Sequence, residues 1–197
     1  MVDAQLIRDA GPLWKEATSS PFLEAAAAGT LPAQAFRRWL AQDYLFARGL
    51  VVFQSLAAAK VPRDCHKTLL GGLVALDNEL DWFEAHARRL GIALDVPPHR
   101  ACRRYTDFLI RSAHTEPFPV LLAVLFGVEV SYLAAWSALR PTGPYAEFIA
   151  RWSSPAFADY VTALGGHAER YPHPSQQEYF NLVLQHERDF WGMAWEG

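Results

Sequence analysis

The sequence contains very little cysteine: two residues, Cys65 and Cys102, in a chain of 197. Their spacing fits no metal motif and argues against a disulfide framework, so a reducing, cytoplasmic location is predicted. The first residues also lack the basic stretch followed by an apolar stretch that is typical of a signal peptide. Neither feature indicates export from the cell.

Positive charge is scarce as well. The chain has 18 Lys and Arg against 21 Asp and Glu, with a net charge of -3 and a pI near 6.1. Because nucleic-acid binding depends on a basic surface, nucleic acid is not an expected partner. The sequence has no glycine-rich phosphate loop and no convincing strand alternation. These absences leave helical periodicity as the main structural signal.

A helical pattern runs along nearly the whole chain and is interrupted only by Pro and Gly. No repeat or linker divides it, so residues 1–197 are predicted to form one all-α domain, a compact helical bundle. The predicted helices cover residues 3–19 (perturbed near Gly11 and Pro12), 21–28, 32–60, 63–90, 101–114, 119–139, 145–152, 155–164 and 175–195.

One hydrophobic run, residues 117–139, is long enough to cross a membrane. Its flanking segments have the pattern of amphipathic soluble helices, so it is predicted to be a core helix and no membrane contact is expected. The only charged residue in this run is Glu129. Burying an ionised, unpaired carboxylate is costly unless its pKa rises. Glu129 therefore indicates a hydrogen-bonded, metal-binding or catalytic group.

Two further acidic residues fall on apolar helix faces. Asp43 lies four residues after Trp39, and Glu187 lies three residues from both Leu184 and Phe190. Three inward carboxylates on three helices predict an acidic pocket inside the bundle.

Structural roles for these carboxylates stay open at this point. Asp43 could be neutralised by a buried Arg or by indole N–H groups, and Glu187 by a neighbour such as Arg151. Glu129 has no residue nearby in the sequence that could neutralise it.

Aromatic side chains accompany the carboxylates. Tyr132 follows Glu129 by three residues, on the same helix face, where its phenol could bond a carboxylate or a substrate. Carboxylates accept from ring nitrogen or amino groups, while aromatic faces stack on a flat ring. The pattern suits a small nitrogen-bearing heterocycle. The candidate substrate-binding residues are Tyr44, Phe46, Tyr105, Tyr132 and Trp152.

Two stretches carry a family resemblance. PFLEAAAAGTLPAQAFRRWLAQDYLF near the start and ERDFWGMAW at the end resemble the signature motifs of the TenA (thiaminase II) family. The resemblance covers essentially the whole chain. It implies an all-helical, haem-oxygenase-like fold, a homo-oligomer (tetramer or dimer), and action on thiamin or on its pyrimidine breakdown products.

The resemblance also implies residue roles. Asp43 in LAQDY would bind and polarise an aminopyrimidine, and Glu187 in QHERDFW would be the acid/base group. Tyr105 and Tyr132 match aromatic pocket positions.

The chain departs from the cysteine-containing branch of the family at several positions. In GVEVSY, Val128 stands where that branch has its nucleophilic Cys, and Glu129 is the next residue. This resembles the branch in which a glutamate replaces the Cys. Phe46 and Trp152 stand where tyrosines are expected. Because a thiolate is the better nucleophile, thiamin cleavage is less favoured.

The expected reaction is hydrolytic removal of an amine or formyl group from a 4-aminopyrimidine, without metal or organic cofactor. Candidate substrates are 4-amino-5-aminomethyl-2-methylpyrimidine and its N-formyl derivative. Asp43 would anchor the ring, Glu187 would protonate the leaving nitrogen, and Glu129 would be general base or nucleophile.

Two alternatives remain. The same fold hosts di-iron oxidases, and Glu79, His86, Glu129 and His186 match part of such a ligand set. Tyr179 and Val183 stand where the remaining ligands are expected, and neither can replace them. The second alternative is a pyrimidine-binding or regulatory protein without turnover.

Overall fold

The computed structural model describes residues 5–140 and 143–196, and within them it contains helices and no strand. The predicted all-α fold class is confirmed. The helices are α1 (Gln5–Asp9), α2 (Pro12–Thr18), α3 (Pro21–Ala28), α4 (Ala33–Ala58), α5 (Arg63–Leu90), α6 (Arg100–Thr115), α7 (Phe118–Ser137), a 3-10 turn (Gly143–Tyr145), α8 (Ala146–Trp152), α9 (Pro155–Arg170) and α10 (Gln176–Glu196).

Helix ends follow local chemistry. Gly29 and Gly91 end α3 and α5 in the left-handed conformation, with φ of 69° and 61°, which glycine adopts without steric cost. Ser20 and Ser154 cap the starts of α3 and α9 by accepting a backbone N–H. The predicted limits of α3 and α5 match the structure because these punctuating residues are unambiguous.

Two predicted helices differ from the structure. The predicted helix over residues 3–19 is two helices, α1 and α2, separated at Gly11, whose φ is 55°; residue 3 lies outside the described residues. Helix α9 runs to Arg170 instead of ending at Leu164. Gly165 is buried inside it, and packing there outweighs the low helix propensity of Gly.

Helix α7 is the central element, and it packs against α10, α9, α2 and α8. Its length and composition would allow a membrane span, yet 72% of its most apolar stretch is buried within the protein. A helix surrounded by other helices has an apolar residue on every face, which explains the uninterrupted hydrophobic run. Glu129 is therefore in the interior.

Tryptophan side chains join the helices that surround α7. Trp136 of α7 lies with its ring centroid 5.4 Å from that of Trp39 on α4, 5.2 Å from Trp152 on α8 and 6.0 Å from Trp191 on α10. Large aromatic rings in such contact bury much apolar area and fix the relative positions of their helices. The acidic residues lie beside this cluster.

Arg38 fixes α10 to α4. Its guanidinium group donates to the backbone carbonyls of Met193, Ala194 and Trp195 at 2.8–3.1 Å, in the last turn of α10, where helix carbonyls need partners from outside the helix. Arg38→Ala should lower the free energy of unfolding by about 1–2 kcal/mol, because charged hydrogen bonds to these carbonyls are lost. Denaturant unfolding measures this. The exposed Arg103 is the control, and Arg103→Ala should change stability by less than about 0.5 kcal/mol. Equal losses in both variants would contradict the capping role.

Candidate active site

The three predicted carboxylates come from three helices: Asp43 from α4, Glu129 from α7 and Glu187 from α10. All are buried, with exposed fractions of 5%, 8% and 2%. The charge of Glu187 acts on both Asp43 and Glu129, which places the three groups in one electrostatic neighbourhood.

Two of the carboxylates have a tyrosine donor. The Tyr132 hydroxyl donates to Asp43 Oδ2 at 2.6 Å, and the Tyr105 hydroxyl donates to Glu187 Oε1 at 2.6 Å. Among the described residues, neither of the structural pairings considered from the sequence occurs: Arg151, considered for Glu187, instead has its Nε 3.4 Å from Glu79 Oε2. Neutral phenols leave the carboxyl groups without a countercharge.

Burial dominates the protonation of these groups. Burial, followed by the negative charges of Glu79 and Glu187, raises the pKa of Glu129 to about 8. Burial raises the pKa of Glu187 to about 8 as well, against the hydrogen bond from Tyr105. Burial also raises the pKa of Asp43 well above its ordinary value, against the bond from Tyr132. At neutral pH the site therefore holds carboxyl groups that can both donate and accept protons.

Glu129 differs from Asp43 and Glu187 in having no partner among the described residues. Within residues 5–140 and 143–196 no hydrogen bond or ion pair reaches its side chain, and it forms part of the wall of a cavity of about 80 Å³. Such a volume holds more than one water molecule. The wall is formed chiefly by α4, α5, α7 and α9 and includes Asp43, Phe46, Gly72, Glu79, Val128, Glu129, Tyr132, Trp152, Phe157 and Tyr160.

An outer groove of about 690 Å³ lies between α5 and α9 and shares part of its lining with the cavity. Glu79, Trp152 and Tyr160 are among the residues that line both spaces. A small molecule that enters from the groove would pass these side chains before it reaches Glu129. The arrangement is that of a narrow, acidic, aromatic-walled pocket.

Comparison with known proteins is decisive for the family. The model of the TENA/THI-4/PQQC family matches residues 7–197. The chain belongs to this family. The resemblance to TenA drawn from the two terminal motifs is thereby confirmed.

Relatives of known name agree with this assignment. The chain is 30% identical to a Glycine max protein named "Probable bifunctional TENA-E protein", over 92% of this chain and 88% of that protein. It is 23% identical to a Helicobacter pylori protein named aminopyrimidine aminohydrolase, over 99% of each. The crystal structure of a TenA homologue from Pyrococcus furiosus superposes with a TM-score of 0.91 at 28% identity, covering 98% of this chain and 100% of that one. The haem-oxygenase-like fold expected for the family is shown.

The predicted aromatic residues are distributed unequally around this TenA-family site. Phe46, Tyr132 and Trp152 line the cavity. Tyr105 lies behind Phe46, with ring centroids 4.6 Å apart, and contacts the site through Glu187. Tyr44 does not face the cavity: its hydroxyl donates to Glu84 Oε1 at 3.0 Å on another side of α4.

Sequence reasoning missed Glu79 and Tyr160 as parts of the pocket. From the sequence, Glu79 is a candidate only for the di-iron ligand set, yet its Oε2 accepts from Trp152 Nε1 at 3.2 Å and the residue lies at the cavity wall. The buried residues Leu76 and Phe83 on the same face of α5 were a signal for its inward position. No comparable pattern in the sequence indicates that Tyr160 lines the cavity.

The residues that match a di-iron ligand set do not meet at one centre in the described part of the chain. His86 Nε2 lies 3.1 Å from Glu147 Oε2, and His186 stacks on Tyr105 with ring centroids 5.0 Å apart. Neither histidine is grouped with Glu79 and Glu129 as a ligand set among the described residues.

One cluster of metal-ligating residue types does occur in the described part of the chain, and it consists of Asp64, Cys65 and His167. The Asp64 carboxylate there already accepts from Tyr171 and pairs with Arg170.

Gly72 has no side chain, and this lets Gln54 and Tyr160 approach α5 closely. A Cβ atom at this position would overlap Gln54 Nε2 and the hydroxyl of Tyr160, whereas one at Gly71 would meet open space.

Gly72→Ala should therefore displace Tyr160 and lower the free energy of unfolding by about 1–3 kcal/mol, as overpacking does. Gly71→Ala is the matched control on α5 and should be stabilising by about 0.5–1 kcal/mol, because Ala favours helix. Denaturant unfolding of both variants measures the difference. Equal stability of the two would contradict the close approach at Gly72.

Proposed function

We propose that this protein is a metal-independent hydrolase of thiamin salvage that acts on an aminopyrimidine breakdown product. The substrate is 4-amino-5-aminomethyl-2-methylpyrimidine or its N-formyl derivative. The observation that carries the proposal is Glu129, a buried carboxyl group without a protein partner that faces a cavity next to the Asp43–Tyr132 pair. Membership of a family that includes an aminopyrimidine aminohydrolase supports this reaction class.

Asp43 has the chemistry to recognise the ring. A protonated carboxyl group donates through one oxygen and accepts through the other, which complements a ring nitrogen beside an exocyclic amino group. Tyr132 donates to Asp43 Oδ2 and fixes the orientation of the carboxyl plane. Phe46 and Trp152 supply aromatic faces in the same cavity.

Glu129 and Glu187 divide the proton transfers. Glu129, once ionised, removes a proton from water; the water oxygen bonds to the substrate carbon, and the bond from carbon to the leaving nitrogen breaks. Glu187 supplies the proton that the leaving nitrogen takes. Glu187 is positioned by Tyr105 and is not part of the cavity wall without substrate. Catalytic hydrogen bonds of this kind often form fully only when substrate is bound.

The cysteines favour the glutamate branch of the family. Cys65 lies at the start of α5 beside Asp64, and the Cys102 thiol on α6 donates to the Gln42 carbonyl. Both are outside the cavity, where Val128 and Glu129 stand. Without a thiolate beside the substrate, the covalent route that thiamin cleavage uses is not favoured.

The direct test is incubation with the aminomethyl pyrimidine, its N-formyl derivative and thiamin, with product pyrimidine measured in each case. We expect turnover of the aminomethyl or formyl compound and none of thiamin. Turnover of neither pyrimidine would overturn the proposal.

Variants test the division of roles. Glu129→Gln and Glu187→Gln should each lower kcat about 10²–10⁴-fold, as loss of a general acid or base does. Glu178→Gln, an exposed change on α10, is the control and should keep full activity. Because Glu129 must be ionised and Glu187 protonated, the pH dependence of kcat/KM should be bell-shaped with a maximum at about pH 8. Full activity of Glu129→Gln would show that the roles are assigned wrongly.

A further inference from the structure

Glu79 is a half-buried carboxylate, with 20% of its side chain exposed, that the reaction above does not use. It belongs to the wall of the inner cavity and also to the wall of the outer groove, so it lies at the neck between them. Its charge acts on Glu129 and on Asp43, which places it close to the groups assigned to the chemistry. A substituent of a bound ring that points back toward the groove would lie next to it.

The neighbours of Glu79 stabilise its ionised form. Arg151 Nε lies 3.4 Å from Glu79 Oε2, and Trp152 Nε1 donates to the same oxygen at 3.2 Å. Arg151 is itself placed over the Trp82 ring, 4.7 Å from its centroid. Burial raises the pKa of Glu79, and the charge of Arg151 and the two hydrogen bonds oppose this. Among the neck and cavity carboxylates, Glu79 alone has a cationic partner within the described residues.

The two donors leave one oxygen of Glu79 for a ligand. Both bonds end on Oε2, and within the described residues no bond reaches Oε1. An ionised carboxylate oxygen accepts strongly from an ammonium group and gains much less from a neutral amide. The aminomethyl pyrimidine carries a primary amine that is protonated at neutral pH, whereas its N-formyl derivative is neutral at the same position.

We propose that Glu79 is a specificity residue that binds the ammonium group of the substrate at the neck of the cavity. This inference rests on the proposed function for its choice of ligand. It names the substrate class more narrowly: a cationic aminomethyl pyrimidine is preferred over neutral pyrimidines of the same size. For this substrate the bond from carbon to the ammonium nitrogen breaks to release ammonia, which takes the proton of Glu187 and leaves as ammonium. The proton that Glu129 takes from water replaces it, so protonated aminomethyl pyrimidine and water give the hydroxymethyl pyrimidine and an ammonium ion with atoms and charge balanced.

Binding selectivity tests this role independently of turnover. In a Glu129→Gln background, in which the proposed mechanism lowers kcat about 10²–10⁴-fold, calorimetry gives Kd for the cationic 5-aminomethyl pyrimidine and for its neutral 5-hydroxymethyl analogue. We expect the ratio of the two Kd values to favour the cation, and adding Glu79→Gln should reduce that preference about tenfold or more. Gln keeps an oxygen for Arg151 and Trp152, so the fold should be retained.

The matched control is Glu84→Gln, a change on the same helix at a carboxylate that accepts from Tyr44 outside the cavity. It should leave the ratio unchanged. An equal loss of affinity for both ligands on Glu79→Gln would show a structural role only and overturn the inference, as would an unchanged ratio or no preference for the cation. Failure of the proposed function would instead appear as absence of turnover by the unaltered protein, with this binding ratio still measurable.

Discussion

The structure depends on the placement of four carboxyl groups in one helical interior, three of them buried and Glu79 half-buried. Each must be protonated, hydrogen-bonded or ion-paired, because an ionised carboxylate without a partner is very costly away from water. Asp43 and Glu187 receive a tyrosine hydroxyl, and Glu79 receives Arg151 and an indole N–H. Glu129 has no hydrogen bond or ion pair with any described residue. Of these four carboxyl groups, the one without a partner among the described residues therefore lies in the cavity wall.

The tryptophan cluster keeps these carboxyl groups in the interior of the bundle. Trp39, Trp152 and Trp191 connect α4, α8 and α10 to Trp136 of α7, so the carboxyl groups cannot relax toward solvent by small helix movements. Close packing of large rings on several sides transmits strain instead of absorbing it. The stability that this burial supplies offsets the cost of placing acidic groups where their pKa values rise. This fits the general observation that shifted carboxyl pKa values accumulate at functional sites.

Much of this architecture could be predicted from local pattern. The lone charge of Glu129 in an apolar run, and the places of Asp43 and Glu187 on apolar stripes, required only helical periodicity. The limits of α3 and α5 required only glycine at their ends. The terminal motifs identified the family, which the family model then confirmed.

The remaining features depend on how helices lie against one another. Tyr44 was predicted in the pocket because it adjoins Asp43, but consecutive helical residues point about 100° apart, and Tyr44 faces Glu84 instead. The Tyr105–Glu187 bond joins α6 to α10, and no periodicity within either helix specifies it. Glu79 and Tyr160 meet the cavity only because α5 and α9 form its neck.

The most direct test of this account is a carboxyl-carbon NMR titration of the protein with ¹³C-labelled glutamate. The account predicts two Glu resonances that are still changing near about pH 8, one lost in Glu129→Gln and the other in Glu187→Gln. Completion of both titrations at the ordinary glutamate pKa of about 4.3 would contradict it, because the two groups would then be solvated or paired and no acidic pocket of protonated carboxyl groups would exist.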